Sequence, residues 1–126
     1  MPTHNHKILN RVIDAYIEAL YFTDTGEDEQ PPKDMPLSPG AYLLCAAECA
    51  MFLVECDKLG LLNEYIDTQR TVESFGHDFW LTRQGHGAGF WDRGLGELGD
   101  KLTEQAKLAG EVYTYVGDDN TICLNN

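Results

Sequence analysis

Apolar residues recur at helical spacing in several stretches of this chain. Over residues 5–22, Ile8, Val12, Ile13, Tyr16, Ile17 and Leu20 share one side, with Lys7, Asn10, Arg11, Asp14 and Glu18 mostly opposite. That pattern predicts an amphipathic helix, with Thr3 or Asn5 as its cap. Residues 23–37 have no period. Gly26, three prolines and five acids, among them Glu27, Asp28 and Glu29, predict a solvated acidic loop. Ser38-Pro39 then reads as an N-cap and first helical residue, opening a helix to about Lys58 with Gly60 as its stop. Its apolar positions between Tyr42 and Val54 cover more than one face, which predicts a central helix packed on two sides or shared with another subunit. Ala46, Ala47, Cys49 and Ala50 would allow another helix to approach closely.

Short helical turns are expected at residues 61–66 and 71–75, with Gly76 ending the second. From His77 the period changes to that of strands. Residues 78–82 and 88–91 are rich in strand formers and flank Gln84-Gly85-His86-Gly87, so they read as a hairpin. Leu95, Leu98, Leu102, Ala106 and Ala109 mark a helix over residues 95–109. Residues 111–116 alternate, Gly117-Asp118-Asp119-Asn120 is a turn signal, and residues 121–124 form the last strand. The expected fold is a single α+β domain over residues 1–126. In it, N-terminal helices form one layer on an antiparallel ββαββ sheet over residues 76–126.

A chain of 126 residues has room for one core. No apolar run approaches the ~20 residues of a membrane span, the longest candidate, residues 41–54, being interrupted by Glu48, and the N-terminus lacks the apolar stretch of a signal peptide. The expectation is a protein of the host cytoplasm with no membrane role. Nine Lys and Arg face 21 Asp and Glu, a net charge of −12. Such a surface repels nucleic acid and suits a partner with a basic face. Cys45, Cys49 and Cys56 share the apolar helix and no CxxC pair exists, so the thiols read as small hydrophobes.

Candidate chemistry concentrates in residues 76–93, GHDFWLTRQGHGAGFWDR, which hold both tryptophans. His77, His86 and Asp92 are the metal candidates, although a separation of nine positions from His77 to His86 matches no standard ligand spacing. A His beside an Asp offers acid–base chemistry, but no nucleophile sits in an elbow-like turn and the cysteines lie on an apolar helix. No catalytic residue and no cofactor is expected. The glycines at 85, 87 and 89 lack the helix and the Lys-Ser/Thr pair of a phosphate cradle, so they read as a wide turn or as points of close backbone approach. Alternation would bury one aromatic of each pair and expose the other. Trp80, Arg83, His86, Trp91, Asp92 and Arg93, with Glu27, Asp28 and Glu29 of the acidic loop, are therefore the candidate partner-binding residues. Arg83, Arg93, Asp78 and Asp92 also suit cross-strand ion pairs.

The same motif, followed by a Leu-rich helix and EVYTYVGDDNTI, resembles a family of small proteins of tailed bacteriophages. There a similar GHDFWLTRNGHGAGFWDR stretch precedes a Leu-rich helix and a YVGDDG-like hairpin. The likeness covers residues 71–122; Gln84 stands where Asn is commoner, and Asn120 where Gly is. It implies origin, not mechanism. With the charge, it gives the functional expectation of an acidic phage protein that modulates or inhibits a host factor, such as a nucleic-acid-binding or defence protein, by mimicking the charge of a phosphate array. The alternative is a small-ligand or metal site in the hairpin of residues 77–93, open to enzymatic use and built from His77, Arg83, His86 and Asp92. Self-association through residues 39–58 is compatible with either.

Overall fold

The computed structural model describes residues 6–23, 35–85 and 88–125, and helices dominate it. In chain order they are α1 (His6–Phe22), α2 (Pro39–Lys58), α3 (Leu61–Asp67), α4 (Val72–Arg83), a 3-10 turn (Phe90–Asp92) and α5 (Glu97–Leu108). β1 (Tyr113–Val116) and β2 (Ile122–Asn125) form a two-stranded antiparallel sheet, with Val116 opposite Ile122. The turn between them is the one expected. Asn120 sits in it at φ +61°, a conformation that Gly, Asn and Asp tolerate best. The parallel bridge from Leu37 to Ile122, with Ser38 N–H donating to the Ile122 carbonyl at 2.9 Å, ties this sheet to the start of α2.

α2 begins as expected: Ser38 Oγ accepts from Ala41 N–H at 3.0 Å, with Pro39 at the first helical position. Gly60, at φ +78°, separates α2 from α3. By length and composition alone, α2 would suffice to cross a membrane, which corrects the expectation that no segment of the chain does.

Among the described residues the expected ββαββ sheet is not formed, because α4 and the 3-10 turn stand where its first hairpin was expected. Two features make residues 72–83 helical. Thr71 Oγ1 accepts from Ser74 N–H while Ser74 Oγ accepts from Thr71 N–H, both at 3.1 Å, a reciprocal cap that fixes the start. Val72, Phe75, Gly76, Phe79, Trp80 and Arg83 then recur at helical spacing, and all are buried. Phe79 and Trp80 are adjacent yet both fully enclosed, since α4 is covered by α1 on one side and by α2, α5 and the 3-10 turn elsewhere. Their rings join one aromatic core. Phe79 stacks on Phe52 at 4.0 Å, Trp80 meets Tyr16 edge-on at 5.3 Å, and Phe75 lies 5.7 Å from Phe90.

Gly76 is not a helix stop but the crossing point of α4 with α1. A Cβ there would come within 2.4 Å of the Val12 carbonyl oxygen and 3.2 Å of Ala15 Cβ. Gly to Ala inside a helix ordinarily stabilises by about 1 kcal/mol. Here Gly76→Ala is expected to destabilise by about 1–3 kcal/mol, because backbone must move to admit the methyl group. Urea unfolding checks the sign, and a stabilised variant would mean that the helices do not cross at this point.

Candidate functional site

The segment 76–93 is where sequence chemistry concentrates, and most of it is spent on holding the fold together. Arg83, at the end of α4, is buried with every nitrogen engaged. Nε donates to the Gly110 carbonyl at 2.6 Å, Nη2 to the Ala109 carbonyl at 2.8 Å, and Nη1 to Tyr16 Oη at 3.0 Å and to Glu48 Oε1. The guanidinium thereby ties α1, α2 and α4 to the C-terminus of α5, whose last carbonyls lack helical partners. Burial alone would lower the Arg83 pKa; Tyr16 and Glu48 outweigh it and hold it raised. Next in the chain, Gln84 clamps the approach to β1. Its Nε2 donates to the Val112 carbonyl and its Oε1 accepts from Val112 N–H, both at 2.8 Å.

The second lattice is centred on Asp78, which is buried on α4. Arg93 reaches it with Nη2 at 2.8 Å and Nε at 3.2 Å, and Tyr65 Oη donates to it at 3.4 Å. The hydrogen bond to Asp78 raises the Arg93 pKa. This ion pair fastens the 3-10 turn to α4, not one strand to another. Inside the turn, Phe90 N–H donates to Thr82 Oγ1 at 3.1 Å, and Gly89 N–H donates to Asp92 Oδ1 at 3.2 Å. Gly89 and Gly99 permit the close fit: a Cβ would lie 2.4 Å from Thr82 Oγ1 at the first and 2.8 Å from the Phe90 carbonyl oxygen at the second. Phe90 is thereby driven into the core, and Trp91 is left 49% exposed on a turn pinned from both sides.

The candidate binding residues therefore separate. Trp80 is fully buried, its Nε1–H donating to Thr23 Oγ1 at 2.8 Å, and Arg83 is enclosed, so neither can meet a partner. Arg93 is mostly committed to Asp78, while Trp91 and Asp92 face solvent. His77 stands apart, its Nε2 2.8 Å from Glu18 Oε1 of α1. His86, Glu27, Asp28 and Glu29 lie outside the described residues, as do Thr3 and Asn5. Among the described residues no three His, Cys, Asp or Glu side chains gather as a metal site. The thiols of α2 are poor nucleophiles: burial pushes Cys45 and Cys56 up to about 12 and Cys49 well above its ordinary value.

Sequence reasoning missed Glu48, Tyr16, Thr82 and Gln84. One signal for the first was present, an acid amid the apolar residues 41–54, which calls for a buried cation. Carboxylates are exposed on every helix: Asp14 and Glu18 on α1, Glu55 on α2, Glu64 and Asp67 on α3, Glu73 on α4, and Glu97, Asp100 and Glu104 on α5. Arg11 offsets one of them, holding the Glu73 pKa down through hydrogen bonds of 2.6 and 2.8 Å. Comparison of the chain with protein-family models, curated proteins and solved structures finds no match.

Proposed function

We propose that this is a phage-encoded binding protein that modulates a host factor with a basic surface, in the host cytoplasm and without a cofactor, and that the Trp91 turn is its docking point. The observation that carries this reading is the half-exposed Trp91, held on a turn by Asp78–Arg93 and Asp92–Gly89 contacts. A large ring already fixed in place loses little freedom on binding, which is why such residues anchor interfaces. The −12 charge supplies the rest. Carboxylates on every helix make a broad negative field that speeds encounter with a cationic partner. Their spread favours steering of this kind over imitation of an ordered row of phosphates.

The test is capture of a host protein by the tagged chain, followed by salt titration and comparison with Trp91→Ala. Raising salt well above physiological strength is expected to release the partner, because exposed charges are screened within about 3 Å at 1 M. Trp91→Ala is expected to weaken binding at least tenfold while leaving the melting temperature unchanged, since the ring lies outside the core. No captured partner, binding that survives molar salt, or full affinity in the Trp91→Ala variant would each defeat the proposal.

A further inference from the structure

Building on that docking role, we infer that the open face of Trp91 seats an arginine side chain of the host partner, with the guanidinium flat on the indole and its rim toward Asp92. Gly89 fixes how the ring stands. A Cβ there would lie 3.2 Å from Trp91 Nε1, so the nitrogen edge of the indole rests against the backbone that opens the turn. About half of the residue, 49%, is left to solvent. Among the described residues no second ring and no cation covers it, although the rings of the core pack on one another and Arg83 lies 5.5 Å over Phe79. The arginines of this region are engaged elsewhere. Arg93 is held by Asp78 at 2.8 Å, and Arg70 reaches the Arg93 carbonyl at 3.5 Å. The chain thus presents an uncovered indole face on a surface whose net charge is −12.

Ring chemistry and charge select the occupant. The face of an indole is the negative side of its quadrupole, and tryptophan attracts cations better than the other aromatic side chains do. A basic partner offers lysine or arginine. The lysine ammonium is compact and strongly hydrated. The guanidinium is flat and weakly hydrated, so it can lie on a ring and still present N–H groups at its rim. Asp92, the next residue on the same turn, supplies an acceptor for them. Its Oδ1 accepts from Gly89 N–H at 3.2 Å and stands 3.8 Å from Arg93 Nη1, while 35% of the side chain remains exposed.

Mono-, di- and tetrafluorotryptophan placed at position 91 alone, each measured against the captured host protein, test the seat. Fluorine withdraws electron density from the ring face and nearly preserves its shape and apolar character. Affinity is expected to fall stepwise along the series, roughly tenfold in all. Asp92→Asn keeps the oxygen that accepts from Gly89 N–H; it should weaken binding about threefold and flatten the salt dependence. Arginine-to-alanine replacements in the host protein should find one that costs roughly tenfold against the unmodified chain and little against Trp91→Ala, the sign of a direct pair. A flat or rising fluorine series would show an apolar plug in place of a cation seat. That result, Asp92→Asn at full affinity, or the lack of any arginine coupled to Trp91 would overturn the inference and leave the docking role of Trp91 standing. Full affinity in Trp91→Ala, or no captured host protein, would defeat both.

Discussion

Arg83→Ala is expected to cost about 3–5 kcal/mol. Truncation leaves Glu48 charged and mostly enclosed, with side-chain exposure of 16%, and removes the donors of Tyr16 Oη and of the Ala109 and Gly110 carbonyls. Against a total stability of about 5–15 kcal/mol, that is enough to bring the domain close to unfolding. Arg83→Lys should recover only part of the loss, because an ammonium cannot span four acceptors on three elements. Arg83→Met combined with Glu48→Leu should recover more, since both charges of the pair are then removed from the interior. Urea unfolding of the three variants ranks them. A loss under about 1 kcal/mol for Arg83→Ala would show that the guanidinium does not organise the interior.

Raising the pH from 9 to 12 is the second large perturbation, and it should unfold the protein. Burial holds the Cys45 and Cys56 thiols near 12 against an ordinary 9.0, and Cys49 is raised as well. The charged form of a thiol is the deprotonated one. Above pH 9 the unfolded chain therefore releases protons that the folded chain keeps, and stability falls as pH rises. Each thiol contributes at most about 1.4 kcal/mol per pH unit. Tyr65, raised to about 12 by burial, adds a loss of the same sign above pH 10. Below pH 9 these groups are neutral in both states and contribute nothing. Thermal melts in reductant at pH 8, 9, 10 and 11 should show a flat start and then a steep decline. A triple Cys45→Ala, Cys49→Ala, Cys56→Ala variant should decline less steeply. Equal melting temperatures at pH 8 and 10.5 would contradict this account of the thiols.

The two errors about residues 76–93 share one cause. Gly76 reads as punctuation because glycine commonly ends helices, and with a helix ending there the aromatics that follow fit a strand pattern. The helical spacing of Val72, Phe75, Phe79 and Trp80 was in the sequence throughout. What broke it was a glycine whose role is set by α1, 60 residues earlier, passing within reach of a Cβ. The candidate site suffered similarly. An exposed aromatic was legible there, though not which of Trp80 and Trp91 it would be, and Asp78 and Arg93 were legible as ion-pair members among four charged residues, though not as each other's partners. Arg83 was not legible as an interior residue, because its acceptors come from α1, α2 and the end of α5.

By itself the sequence determined what is local or additive. Helices α1, α2 and α5 follow from periodicity, with the Ser38 cap for α2, the β1–β2 hairpin from its turn residues, the inert thiols from their place on an apolar helix, and the acidic surface from composition. Those properties depend on neighbours in the chain or on sums over it. Tertiary structure alone decided which glycines are contacts, which arginine is buried and which tryptophan is free. Each of those depends on atoms far apart in sequence competing for the same few ångströms, and no local pattern records that competition.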